Sequence, residues 1–584
     1  MFQTVPIKSV QAIKLDPSCY QGYERKHAAL HGAKRYEKAV EAFDVMLSKL
    51  KESGVDISSE LVFRHHPDRR MLTSIIEYVD VRPTIRNIVQ RTVRHIPRVL
   101  IDISTGRLGD KQQQASAFEK LPIYFELVSS MTTQLDGARI ESAVEECYRY
   151  VMLSHRWDPD EPLHQKVKNT SIYDLHPSPA NTKLRTFCLL VRSLGFRWAW
   201  TDNSCVDRLC NVVLQESLVA MFTWYRGSSL TVVYLRGVLS ESQRPGDLSR
   251  SIWNTRAWTY QEYVAAETVR FYTEDWKPYL GLDLFNHKES PVVISEMQQV
   301  TGVSAEEIAI LCPGRDRVRE KLYLASRREA TFVEDIAYSL FGIFDVARPI
   351  MYGEGHQAVG RLLENLLTGS GDVTILAWTG RAGSYNSCLP TDLSVYDPLV
   401  PPHVPRPIEK AEMDRIILTL QPSRADLSLA KTLLKRLHDL PSPQLGAKRL
   451  RLPGIACPLA RPTHAAESRP VGHRVYRATT PMFGAVEIKT ADDLTEKEGL
   501  WLVHPWIRPL RDQEFSDGAG ALDETTQALR FVARLRQPFG ALLFEQLSSV
   551  EYRRVAADSL IIVQIREDVS LTELIRCIRT IEVL

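Results

Sequence analysis

YVMLSH, Tyr150–His155, and further on LTVVYLRGV, Leu230–Val238, are the stretches that decide the fold of this chain. Both are short apolar runs with no polar face, the pattern of a strand buried on both sides. Between them, KLRTFCLLVRSLG (Lys183–Gly195) reads as a helix closed by glycine. FRWAWTD (Phe196–Asp202) reads as an aromatic strand, and NVVLQESLVAMFTWYRGS (Asn211–Ser228) as a second helix. AWTYQEYVAA continues as a helix and TVRFYTED (Thr268–Asp275) as a strand. This alternation with short connections predicts an α/β fold, a parallel sheet flanked by helices. Ligands of such sheets sit beyond the carboxyl ends of the strands. Those ends are SHRW (Ser154–Trp157), the stretch from Asp202 onward, and Arg236–Gly237, all polar or aromatic.

Working outward, residues 1–60 are helical in character. Tyr23, His27, Leu30, Tyr36, Ala39 and Phe43 stand at the offsets of one tetratricopeptide unit. A lone unit cannot bury its own faces, so it packs on the rest of the chain or belongs to a longer array. Residues 61–145 read as a helical lead-in, with VRPTIRNIVQRTVRHIPRVLI as an amphipathic helix with a solvated basic face. The α/β domain then occupies 146–290, and a helical region occupies 291–380. Within that region Gly353 and Gly355 read as a turn opening a helix. Prolines and glycines make 380–410 a linker. The remainder, 381–584, reads as a mixed α+β region, with strands such as ALLFEQL and loops through RLRLPGIACPLARP.

The 584 residues carry a net charge of +2, which gives no bulk attraction to nucleic acid or anionic membrane. No run of 18 apolar residues suggests a membrane span, and MFQTVPIKSVQAIKLDP lacks the apolar core of a secretion signal. Nine scattered cysteines suit a reduced, cytoplasmic protein. Cys205 and Cys210 are the one close pair, with no second pair at zinc spacing, so no metal is expected.

SIWNTRAWTYQEY, Ser251–Tyr263, sets a carboxylate among indole rings. Read as a helix, it places Trp258 and Glu262 on one face. Either Glu262 forms a surface ion pair with Arg256, or it meets a flat polar ligand in an aromatic pocket. Glu216, mid-helix, is a lesser pocket candidate, and His155 reads as structural.

Four stretches in order carry a family resemblance: YVMLSHRW, WAWTDNSCVDRLC with its following helix and strand, SIWNTRAWTYQEY, and EDIAYSLFGIF through IMYGEGHQAVGRLL. Over about 150–380 they resemble the fungal heterokaryon-incompatibility (HET) domain and the region that follows it. The helical front resembles that of large mushroom-type (Agaricomycete) members. Ser154 and Trp157 match the family's Ser-x-x-Trp, Asp202 and Cys205 its next element, and Trp253, Trp258, Gln261 and Glu262 its Trp/Gln-Glu signature. Val206 and Asp207 stand where many members have Asn-Gln.

The resemblance implies non-self recognition and programmed cell death. The HET domain is also similar to Toll/interleukin-receptor (TIR) domains, some of which hydrolyse NAD. By that analogy NAD is a substrate rather than a resident cofactor, and Glu262 is the catalytic acid. Trp157 or Trp258 would stack a ring, Arg156 or Arg256 would neutralise the pyrophosphate, Asp202 would bind a ribose hydroxyl, and Ser154 would donate to the ligand. Self-association and an unidentified activating protein are the implied partners. The alternative is a non-catalytic interaction module that signals by assembly.

Overall fold

Six strands make the sheet expected from the apolar runs. They are β1 (Leu100–Asp102), β2 (Arg107–Gly109), β3 (Tyr150–His155), β4 (Trp198–Trp200), β5 (Leu230–Leu235) and β6 (Val269–Thr273), in the spatial order β2-β1-β4-β3-β5-β6. The computed structural model describes residues 11–52, 79–301, 313–396, 424–465, 474–506, 516–517, 520–521 and 524–584. Strands β4, β3, β5 and β6 are parallel: Val151 lies opposite both Ala199 and Leu230, and Val233 opposite Phe271. Every residue of β3, β4 and β5 is buried, which is why these strands read as continuous apolar runs. The helix Pro179–Ser193 leads from β3 to β4, and Asn211–Arg226 leads from β4 to β5. Because β3 lies between β4 and β5, the winding reverses there, and a crevice opens at the carboxyl ends of these strands.

Strands β1 and β2 fall in the stretch read from sequence as helical. They form an antiparallel hairpin that adds to the open edge of β4, with Ile101 opposite Ala199. Three-residue strands are too short to show a period of two, and their partner is far away in sequence. Residues 53–78, the end of the expected front segment and the start of the lead-in, lie outside the described residues. The front of the chain is a helical hairpin, Tyr20–Gly32 and Tyr36–Glu52. His27 lies 5.4 Å from the Phe43 ring, and His31 lies 5.4 Å from Tyr36. The hairpin packs on the helix Pro122–Ser130, where His27 Nε2 meets the Ser129 carbonyl oxygen at 3.1 Å and His31 Nδ1 meets Ser129 Oγ at 2.7 Å.

The chain divides into two compact units, one of residues 1–245 with 265–293, the other of 246–264 with 294–584. The SIWNTRAWTYQEY stretch lies entirely in the second. There the helix is shorter than the sequence reading: it runs Ala257–Ala265, and Ser251–Arg256 form turns. Asn254 Nδ2 and Ser251 Oγ both donate to the Leu248 carbonyl, at 2.6 and 2.8 Å, and Thr255 Oγ1 donates to that of Ile252 at 2.9 Å. Short polar side chains thus satisfy backbone carbonyls without a continuous helix. Gly353 and Gly355 do form the expected turn, with φ of 99° and 60°, ahead of the helix Gln357–Ser370. Both of their amides donate to Glu334 Oε1, at 2.8 and 3.0 Å, so a carboxylate satisfies the turn.

Part of the expected linker is packed: Cys388, Leu389 and Tyr396 are fully buried. Residues 397–423 lie outside the described residues. RLRLPGIACP is a strand, Arg449–Pro458, not a loop. Pro453 and Gly454 disguised it. It pairs with Leu500–Pro505 on one side and Ile578–Val583 on the other. The ring continues through Phe539–Gln546 and Glu551–Val555, so five strands close on themselves without a free edge. A Cβ at Gly454 would meet the His504 carbonyl oxygen of the neighbouring strand. Gly454→Ala is therefore expected to cost about 1–3 kcal/mol, read as a lower melting temperature. An unchanged melting temperature would contradict the closed ring.

Candidate functional site

A polar cluster gathers beyond the carboxyl ends of β3 and β4. The inward face of the helix Pro179–Ser193 carries Leu184, Phe187, Cys188 and Val191, and also Lys183, which is only 5% exposed. Lys183 Nζ reaches Glu161 Oε1 at 2.6 Å, Asp158 Oδ2 at 2.9 Å and the Arg156 carbonyl oxygen at 3.1 Å. His155, the last residue of β3, lies 2.9 Å from Glu161 Oε2 through Nε2. Asn203 Nδ2 donates to the same Glu161 oxygen, and the Asp158 amide donates to Oε1 at 3.0 Å. Arg236, just past β5, pairs with Asp158 Oδ1 at 2.5 Å. Burial pushes the Glu161 carboxyl up, but His155 and Lys183 outweigh it and hold the group well below the usual carboxylate range. A small cleft beside the cluster is lined by Leu153, Pro162, Leu184, Thr201, Asn203 and Ser204, among others.

Of the residues singled out from sequence, the structure joins Trp157 and Asp202. Trp157 Nε1 donates to Asp202 Oδ2 at 2.6 Å, and the Arg208 guanidinium lies 3.6 Å over the indole ring. Asp202 Oδ1 also accepts from the Asn203 amide at 2.9 Å. The cap of the short helix Asp202–Cys205 is Thr201, whose hydroxyl accepts from the Ser204 amide. Ser154 is fully buried within β3, and Arg156 is exposed. Cys205 is core: burial pushes its thiol up to about 12, so it is no nucleophile. Glu216 sits at the surface, paired with Arg98 at 2.9 Å.

Arg256, Trp258 and Glu262 belong to the second unit. Trp258 hydrogen-bonds the Asp335 carboxylate, which also accepts from Tyr352 Oη at 2.8 Å. Glu262 is 7% exposed, which removes the reading of a surface ion pair with Arg256. The neighbouring cation is Arg328, 8% exposed, which donates through Nη1 to the Arg256 carbonyl at 3.0 Å and to Thr259 Oγ1 at 3.1 Å. Thr259 and Glu262 are three apart on the helix and share a face. Burial pulls Arg328 down to about 10, with Tyr260 and Glu262 pulling the other way.

Asp158, Glu161, Lys183 and Asn203 escaped the sequence reading, and His155 was taken only as structural. The available signal was Lys183, a charge at an apolar position of an amphipathic helix. Such a lysine needs a buried carboxylate, and DPDEP after β3 supplies two. Among the described residues no three His, Cys, Asp or Glu side chains gather as a metal site, and no helix is long and apolar enough to cross a membrane.

Residues 150–249 match the family model described as Heterokaryon incompatibility protein (HET). The vegetative incompatibility protein HET-E-1 of Podospora anserina is 32% identical over 262 residues, 43% of this chain. The match spans 17% of that relative's length. No solved structure matches the chain.

Proposed function

Because residues 150–249 form a HET domain, we propose that this protein is a heterokaryon-incompatibility effector that, once triggered, hydrolyses NAD through Glu262. Self-association is the proposed trigger, with an activating protein recruited at the helical front, and cofactor loss is the route to cell death. The burial of Glu262, at 7% exposed on a helix that also carries Trp258 and Tyr260, is the observation that carries the catalytic part. A desolvated carboxylate stabilises the positive charge that develops on the ribose as the bond to nicotinamide breaks. Water adds to the anomeric carbon, nicotinamide leaves with the electron pair of the broken bond, and one proton is released with ADP-ribose. The analogy with TIR domains supports this chemistry and belongs to the proposal.

A second reading has its own observation. Arg328 is a buried cation, and Glu262 offsets its charge. Glu262 would then be structural, and the domain would signal by assembly alone. Nicotinamide release by the concentrated full chain, beside Glu262→Gln shown folded by circular dichroism, separates the two. The expected result is turnover in the parent and a loss of at least a hundredfold in the variant. Equal turnover in both, or none in a demonstrably assembled parent, overturns the hydrolase.

A further inference from the structure

Two histidines help to hold the helical hairpin at the front of the chain against the helix Pro122–Ser130. His27 and His31 are four apart and share a face of the helix Tyr20–Gly32. Both rings converge on Ser129. The Ser129 carbonyl oxygen lies 3.1 Å from His27 Nε2, and a carbonyl only accepts, so that nitrogen carries a proton. The Ser129 hydroxyl lies 2.7 Å from His31 Nδ1 and 3.3 Å from His27 Nε2. His27 Nδ1 has no hydrogen-bond partner among the described residues. The residue is 9% exposed, and its ring lies 5.4 Å from that of Phe43 and 6.1 Å from that of His31. A second proton on His27 therefore places a charge on a buried ring and leaves the new N–H unmatched.

Two titratable neighbours on the same helix act on this ring. Glu24, one turn back, favours its charge, and His31, one turn on, opposes it. Arg25 on that helix is exposed and Lys26 half-buried. On the helix Tyr36–Glu52, Asp44 pairs with Arg82 and Lys49 with Glu52, while Glu37, Lys38, Glu41 and Lys51 are exposed. On the helix Pro122–Ser130, Glu126 pairs with Arg139, and burial pushes the Tyr124 phenol up. Burial pulls the His27 imidazole below its ordinary value of 6.5, with His31 adding to the pull and the Ser129 carbonyl and Glu24 opposing it. We propose that His27, with His31, is an acid-sensitive latch that docks the hairpin on Ser129 when neutral and releases it when protonated. The docked ring holds its second proton more weakly than the free one. Docking is therefore complete above pH 6.5 and weakens as pH falls towards the docked value. One unit below the free value, a single histidine raises the undocked fraction by up to about tenfold. Release frees the helical front to which the proposed function assigns partner recruitment. The latch rests on that reading only for what the freed hairpin meets.

The test is hydrogen–deuterium exchange of the full chain at about pH 7.5 and about pH 5.5, corrected for the intrinsic effect of pH on exchange. Peptides from the hairpin, 20–52, and from the helix Pro122–Ser130 report docking, and the helix Pro179–Ser193 is the reference. The expected result is a loss of protection of about three- to tenfold in the first two at the lower pH, with the reference changed by less than about twofold. His27→Gln keeps an N–H for the Ser129 carbonyl but takes up no proton, so its hairpin should be equally protected at both pH values. Equal protection of the parent hairpin at both pH values overturns the latch, whether or not the variant folds. So does an undiminished acid response in His27→Gln, or a loss shared by the reference helix, which is global unfolding. Acid release without nicotinamide turnover would keep the latch and remove the hydrolase. Turnover without acid release would do the reverse.

Discussion

Lys183→Met lowers the stability of the sheet unit by about 3–5 kcal/mol at neutral pH, the usual consequence of stranding a buried charge. The substitution keeps the volume and the apolar stem of the side chain. It leaves Glu161 and Asp158 without the ammonium that both contact, at 2.6 and 2.9 Å. Native-state hydrogen exchange at the amides of β3 and β4 reads the effect in this unit alone. The pH dependence gives a second check. The folded carboxyl of Glu161 is depressed from its ordinary value of 4.5. Its contribution is therefore complete above that value and is lost as pH falls through the folded one. In Lys183→Met the depression is smaller, so the gap between variant and parent narrows in acid. A difference below about 1 kcal/mol at neutral pH, the range of an exposed ion pair, would mean that the cluster is solvated.

Arg554→Met is the second large effect, about 2–4 kcal/mol, and it falls on the other unit. Arg554 is 7% exposed, and its guanidinium lies 3.8 Å over the Trp378 ring. It donates to the carbonyls of Leu376 and Trp378, each at 2.9 Å, and to that of Cys388 at 3.3 Å. Burial pulls its pKa down to about 10, with Cys388 and Tyr396 opposing. Carbonyl dipoles and an aromatic face thus hold the charge in place. Methionine removes these donors and leaves the Trp378 carbonyl unmatched. Arg554→Lys keeps the charge as a single point, loses the planar fork, and should recover less than half of the loss. Fluorescence of the tryptophans during thermal unfolding follows both variants. Full recovery by lysine would mean that charge, not geometry, is what the site needs.

The parallel sheet was legible because β3, β5 and the two helices between them are each long enough to show their own pattern. Lys183–Gly195 announces its helix by apolar spacing, and the structure extends it only at the front, to Pro179 under a Ser178 cap. The hairpin of β1 and β2 was not legible, since three-residue strands gain their identity from the edge they join. Arg449–Pro458 was hidden for a related reason. Proline and glycine argue locally for a loop, whereas two flanking strands supply the hydrogen bonds that make it a strand.

The same division runs through the site. Trp157 and Asp202 stood out as polar or aromatic residues at strand ends, and they do meet. Glu161 did not stand out, because a surface glutamate and a buried one look alike in sequence. Its role comes from four donors brought together by β3, the following loop, and helices from two crossovers. The sequence alone determined the alternation of strands and helices, the apolar faces, and the HET signature, all of which depend on neighbours within a few turns. Only the tertiary structure decided that Lys183 and Glu161 share a buried cluster, that His27 and His31 converge on Ser129, and that Glu262 lies in the second unit. Those facts depend on distance and desolvation between groups far apart in the chain, which no local pattern encodes.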